Sequence, residues 1–452
     1  MKQLRKPKVL IIGSNSLNIG DLSIPLSMLE TLKETMPKAE FTVLAAVPQV
    51  TSKYTSIKVL PHLFSWRSTN LRKQIMSLML LPANILWLKS HYLRSPLNLI
   101  LDNTSKQILQ EYANADIILS CGGGYLQNKV GGLGVLKSLY EIYLATLLKK
   151  PVMIYAQSIS LLQGKIARTI TRWVLNRVNL ITLREEKSLG FVQGLNIRQT
   201  PIFVTADAAL LFASAPQARA KKILTNEEIG NPVPLVIITT TANMPWTVNY
   251  IEKIAKYQSM LASLITYITK KTKAQILFIP MDIKSDNQEA SLVSKVRKLI
   301  GKAFGGGFSY TEEKELLSGI IAQIENKSRV KILQGNYSPQ EIKAIITLCE
   351  VHIATRMHSI IFASTAGVPS LAIPYEPKIA SFMEMLGQDE YIIDINNLDL
   401  EEAISKFNKL WANRDKAREV ILAKIEVLKE KSYQNAQLAT ELCFSKATLV
   451  NK

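Results

Sequence analysis

Cysteine is scarce in this chain. The three present, Cys121, Cys349 and Cys443, lie far apart and form no CxxC pair. That spacing supports neither a disulfide framework nor a zinc site, and it suits a reducing, cytoplasmic setting. A signal peptide's apolar core is missing as well: the basic stretch Met1 to Lys8 leads straight into the short run Val9-Leu10-Ile11-Ile12. The apolar stretch Ile75 to Leu88 is broken by Pro82 and is too short to span a bilayer comfortably. It could instead lie in a membrane interface, or form two buried helices meeting at the proline. Arg67, Arg72, Lys73, Lys89, His91 and Arg94 flank it and would touch anionic headgroups. No internal repeat, low-complexity tract or GxGxxG fingerprint is found, so a dinucleotide site is not indicated.

Negative charge is also in short supply, with 55 Lys+Arg against 36 Asp+Glu and a net charge of +19. The surplus is uneven. Residues 1–210 hold 25 Lys+Arg against 11 Asp+Glu, whereas the remainder holds 30 against 25. A basic half attracts anionic partners of several kinds. Signatures of the common nucleic-acid modules are absent, and no basic cluster is interleaved with stacking aromatics, which argues against nucleic acid.

What is present is a globular composition, 47% hydrophobic and 20% charged, over 452 residues. Such a length suits two domains of roughly 200 residues each. Short apolar runs alternate with helical patterns throughout, which predicts an α/β fold. The first half runs from Val9 to about Phe212, and Ala213 to Pro234, rich in proline and polar residues, reads as a linker. A second α/β series follows from Leu235 to Ile395, and residues 396–452 read as C-terminal helices.

The chemistry is expected at Ile353 to Ile361. Cys349 to Ala354 reads as a buried strand and Ser359 to Ala366 as a helix ending at Gly367. Arg356 and His358 therefore stand at a strand's carboxyl end and a helix mouth, where open α/β sheets bind ligands. A helix N-terminus favours an anion, arginine offers a planar fork of donors, and histidine can carry a proton near neutral pH. The blander alternative is a salt-bridged arginine beside a core histidine. The next strand end brings Tyr375 and Lys378 to the same rim. In the first half, Asn18 and Asp21 follow the first strand, with Asp21 as N-cap of a helix from about Leu22 to Thr35. Gly122, Gly123 and Gly124 end another strand, where they form either an anion pocket or a tight turn. Arg184 opens a helix at a strand end, where Glu185 and Glu186 could simply pair with it, and Asp207 follows the last strand.

These residues together resemble the polysaccharide pyruvyl transferase family over nearly the whole chain. The resemblance rests on Asn18-Ile19-Gly20-Asp21, Gly122 to Gly124, Arg184, Asp207 in an Asp-x-Ala-x-Leu-like stretch, Arg356-x-His358 and Tyr375-x-x-Lys378. Glu185 and Ala208 depart from the pattern, which expects a small residue or aspartate and a proline there. The resemblance implies two Rossmann-like domains facing across a cleft, of glycosyltransferase-B type, with C-terminal helices packing back. It implies transfer of the enolpyruvyl unit of phosphoenolpyruvate to two hydroxyls of one sugar, giving a cyclic pyruvate ketal and phosphate. Arg184, Arg356 and Lys378 would then grip the donor, and His358 would protonate it. Asn18, Asp21, Gly122, Gly123, Gly124, Asp207, Ser359 and Tyr375 would line the substrates, with Asp21 or Asp207 as base. No metal or other cofactor is required. The expected partners are phosphoenolpyruvate in the second half and a sugar or glycan, free or lipid-linked, in the first. That places the protein in the cytoplasm or at the inner membrane face. The alternatives are a nucleotide-sugar glycosyltransferase, with Glu376 as the ribose ligand, and a non-catalytic partner in glycan assembly.

Overall fold

The computed structural model describes residues 5–15, 18–63, 80–90, 94–127, 133–160, 164–229, 234–242, 250–283 and 313–445. It divides into two compact units, Met1–Phe212 with Leu428–Lys452, and Ala213–Val427. Each unit is a parallel α/β sheet.

The strands of the first unit are β1 (Lys8–Ser14), β2 (Glu40–Ala45), β3 (Lys58–Pro61), β4 (Ile117–Ser120), β5 (Gly123–Leu126), β6 (Val152–Ile159), β7 (Leu180–Leu183) and β8 (Ile202–Val204). Their order is β3-β2-β1-β4-β6-β7-β8, with β5 beside β6, and every pairing is parallel. Helices cover the sheet, so its strands read as unbroken apolar runs such as Val9–Ile12 and Ile117–Leu119, all buried. On one face Leu10, Ile12, Ile118, Ile154 and Ile181 pack with Trp87, Leu109, Leu139, Ile142 and Val174 from successive helices.

The second unit holds β9 (Leu235–Thr239), β10 (Gln275–Phe278), β11 (Val330–Ile332), β12 (Val351–Ala354) and β13 (Ser370–Ala372). Their order, β11-β10-β9-β12-β13, is again wholly parallel. Strand order reverses between β1 and β4 in one unit and between β9 and β12 in the other. Connections leave in opposite directions there, and in open α/β sheets ligands bind beyond the strand carboxyl ends at such points.

Several sequence expectations change. Asn18, not Asp21, caps the first helix, Ile19–Thr35: its side chain accepts from the Asp21 amide. Gly123 and Gly124 belong to β5 rather than to a bare turn. The segment read as a linker contains the helix Gln217–Asn226, which packs on Pro339–Ile346 within the second unit. Tyr391 to Ile395 is no strand: Tyr391 ends the 3-10 turn Asp389–Tyr391, and Ile392 makes one bridge, to Ala372. The C-terminal helices are Leu400–Ala412 and Arg414–Ser445, the latter belonging to the first unit from Leu428 onward. Pro82 stands in the first turn of the helix Leu81–Lys89, where its missing N–H costs nothing, so it opens that helix rather than breaking it. Ile75 to Met79, Arg67, Arg72, Lys73 and His91 lie outside the described residues.

Candidate active site

In the second unit β12 ends at Ala354, and Arg356 takes an extended conformation as N-cap of the helix Met357–Ser364. Arg356 and His358 thus stand at the carboxyl edge beside the β9–β12 switch point, both buried. The guanidinium is well occupied. Nε donates to the Thr240 carbonyl at 2.7 Å, and Nη2 donates to Asp282 Oδ1 at 2.7 Å and to Glu313 Oε1 at 3.4 Å. The salt-bridged arginine of the blander alternative is therefore real, yet it sits at the edge where a ligand would bind. Burial works against the charge on Arg356, but Glu313 and Asp282 more than offset it and hold the group protonated. The Tyr375 phenol lies within electrostatic reach of the same guanidinium.

Glu313 fastens this arrangement. Its Oε2 accepts from the Met281 and Asp282 amides at 3.0 and 2.9 Å, which ties the end of the β10 segment to the helix Glu313–Ala322. Burial, opposed by Arg356 and reinforced by Asp282, pushes its carboxyl up to about 7. Sequence reasoning missed both carboxylates, because neither stands in a motif and the contact forms only in the fold.

A buried polar chain runs beneath. Ser359 Oγ donates to the Arg356 carbonyl at 2.8 Å and lies 2.7 Å from Thr239 Oγ1. Thr239 Oγ1 lies 3.1 Å from His352 Nε2, and His352 Nδ1 lies 3.3 Å from Ser370 Oγ. Burial pushes the His352 pKa down to about 3, so the ring is neutral and can donate on one side while accepting on the other. The chain joins β13, β12 and β9 to the first turn of the helix carrying His358, which fixes that turn. Lys378, after β13, forms a 2.5 Å ion pair with Glu376, the N-cap of Pro377–Met385.

The first unit gathers the remaining expected residues. Arg184, at the end of β7, is buried; its Nε donates to Ser158 Oγ at 2.6 Å, and Nη1 pairs with Asp207. Glu185 Oε2 lies 3.5 Å away, so the pairing envisaged for Glu185 exists. Asp207 also accepts from the Ala209 amide at 2.9 Å and is anchored through its own carbonyl by Ser432. Asn15 and Asn18 each donate to Asp21 Oδ2 at 2.9 Å. Burial first, then Asp21 and Asp207, raise the Cys121 thiol, which puts both carboxylates within electrostatic reach of the β4 end. A methyl on Gly122 would come within 3.0 Å of Ile24 Cγ2 and 3.3 Å of the Tyr155 carbonyl. Gly123 has φ +127°, a conformation that only glycine adopts readily. Close approach at Gly122 is thus to the protein's own backbone and helix. Among the described residues no cluster of His, Cys, Asp and Glu could hold a metal ion.

The carboxyl edge of each sheet therefore carries buried, hydrogen-bonded charge, cationic and acidic together. Residues 18–377 match the polysaccharide pyruvyl transferase family. The chain belongs to that family.

The match opens at Asn18 and closes one residue short of Lys378. Membership places this pyruvyl transferase family member among the transferases of polysaccharide synthesis, with a sugar or glycan as acceptor. It is similar to the amylovoran biosynthesis protein AmsJ of Erwinia amylovora, 21% identical over 434 residues covering 93% of this chain and 95% of AmsJ. Solved structures share the fold at low identity. A glycosyltransferase from Rickettsia africae has a TM-score of 0.55 at 11% identity, covering 97% of this chain and 99% of its own. HepE of Anabaena, solved with UDP and glucose, has a TM-score of 0.55 at 13% identity, covering 97% and 100%. The family member thus has the two Rossmann-like domains of glycosyltransferase-B enzymes.

Proposed function

We propose that this protein moves the enolpyruvyl unit of phosphoenolpyruvate onto two hydroxyls of one sugar of a glycan or glycan precursor, forming a pyruvate ketal. The observation that carries the reading is the placement of Arg356 and His358 at the opening of one helix, on the switch-point edge of the second unit. A substrate with a phosphate and a carboxylate close together needs cations and free helix N–H groups at one place. Arg356 and the helix start supply them, and Lys378 follows the neighbouring strand. Asp282, whose side chain is 43% exposed, is the partner that a substrate anion would displace from Arg356.

His358 donates a proton to C3, which turns the methylene into a methyl and makes C2 electrophilic. A sugar oxygen attacks C2, phosphate leaves as its C2–O bond breaks, and the second sugar oxygen attacks C2 to close the ring. Of the two hydroxyl protons, one replaces the proton given to C3 and the other ends on phosphate, so the atoms balance. Asp21 and Asp207 in the first unit are the candidates to take the first hydroxyl proton. Arg184, engaged by Ser158 and Asp207, fixes the position of the Asp207 carboxyl group. The cytoplasm or the inner membrane face is the proposed setting.

The test offers phosphoenolpyruvate and a panel of sugar acceptors to the purified chain and follows phosphate release. His358→Ala and Arg356→Lys should each lower turnover about 100-fold or more. Release of a nucleoside diphosphate from a nucleotide sugar, with no phosphate from phosphoenolpyruvate, would overturn the reading in favour of glycosyl transfer.

A further inference from the structure

The helix Lys165–Leu175 in the first unit has a surface that the reaction does not use. Its buried side holds Thr171, Val174 and Leu175. Ile166, Ile170 and Trp173, spaced by four and three residues, form a stripe on the outside; Ile166 is 78% and Trp173 42% exposed. Beside the stripe stand Lys165, Arg168, Arg172 and Arg177, all exposed, and residues 164–177 contain no acidic side chain. Arg177 lies over the Trp173 ring at 3.9 Å, and Tyr143 packs against the same ring at 4.8 Å.

Tyr143 belongs to the helix Leu133–Thr146, whose Tyr140 hydroxyl donates to the Leu81 carbonyl at the start of Leu81–Lys89. The three helices share one core cluster, so they lie on one face of the first sheet. The turn that follows Arg94–Leu97 adds Leu99, 90% exposed, and Ile100, 62% exposed. A water-facing helix with an isoleucine–tryptophan stripe and only basic neighbours matches an element lying in a lipid headgroup layer. Tryptophan favours that boundary because its ring is apolar and its N–H is polar. Nucleic acid would match the charge but leaves no purpose for two exposed isoleucines.

We propose that this face of the first unit docks on an anionic lipid bilayer, with Ile166, Ile170 and Trp173 in the headgroup layer and Lys165, Arg168, Arg172 and Arg177 against lipid phosphates. Leu99 and Ile100 are a second point of insertion. No helix among the described residues is long and apolar enough to cross a membrane. The inference is independent of the reaction proposed above, and its test uses no substrate.

The experiment is flotation of the full chain with vesicles rich in phosphatidylglycerol, compared with phosphatidylcholine alone. Binding is expected to the anionic vesicles only, and to weaken as salt is raised. Each basic residue near such a surface contributes about fivefold in partitioning, so Arg168→Gln with Arg172→Gln should weaken binding about 30-fold. Ile166→Ser with Ile170→Ser should weaken it about tenfold or more. Thermal melts matching the unaltered chain establish that both variants fold, and quenching of tryptophan by brominated lipid, reduced in Trp173→Phe, reports the insertion directly. Equal binding to both vesicle types, or binding untouched by both double variants, would overturn the proposal. So would a dimer in light scattering that the isoleucine variant dissolves while the unaltered chain fails to float.

Discussion

Glu313→Gln removes a titrating proton from the clasp around Arg356 while leaving an oxygen for the Met281 and Asp282 amides. In the folded chain, burial is the main reason that this carboxyl is pushed up from 4.5 to about 7, with Arg356 opposing and Asp282 adding. A carboxyl whose folded-state pKa is raised takes up a proton on folding. Its contribution to stability is full below the unfolded value and is lost as pH rises through about 7. The interval of about 2.5 between the two values corresponds to about 3 kcal/mol. Glutamine cannot ionise, so from about pH 4 to pH 8 the unaltered protein should lose about 3 kcal/mol relative to the variant. For a unit of this size that is a change of about 6–12 °C in the gap between their melting temperatures. Calorimetry across that range measures it. A gap that stays constant would mean an unshifted carboxyl, with Arg356 cancelling the effect of burial, and a gap that moves the other way would mean a lowered pKa; either result refutes the reasoning.

Three further outcomes follow from the packing. Asp207→Ala strands the buried Arg184 charge, so it should destabilise the chain by about 3–5 kcal/mol in chemical denaturation; a variant that loses only activity would make Asp207 purely catalytic. Gly122→Ala presses a methyl against Ile24 and the Tyr155 carbonyl and should cost about 1–3 kcal/mol in the same assay. Ser359→Ala removes the bonds to Thr239 and to the Arg356 carbonyl, with an expected loss of about 1–2 kcal/mol and turnover changed less than about tenfold.

Much of the fold was legible because a parallel sheet covered on both faces writes its strands as apolar runs, and β1, β4, β6, β9 and β12 all read that way. Arg356 and His358 were legible for a related reason: they interrupt such a run where a helical pattern begins. Their partners were not. Asp282 follows β10 and Glu313 starts a helix 31 residues later, and only tertiary packing brings both to Arg356. His352 was hidden inside an otherwise apolar strand, because a neutral imidazole satisfied on both nitrogens can replace an aliphatic side chain there. The glycines of β5 read as the end of the preceding strand, forming an anion pocket or a tight turn, because two glycines show no side-chain alternation and the pairing with β6 was invisible.

The central claim is that His358 delivers a proton to C3 of phosphoenolpyruvate as a sugar oxygen bonds to C2. Running the reaction in deuterium oxide and examining the glycan by mass spectrometry and nuclear magnetic resonance tests it most directly. The account predicts a ketal methyl carrying deuterium from the solvent, formed together with inorganic phosphate and lost in His358→Ala. A product that keeps its methylene as an enol ether, or full deuterium incorporation in His358→Ala, would contradict it.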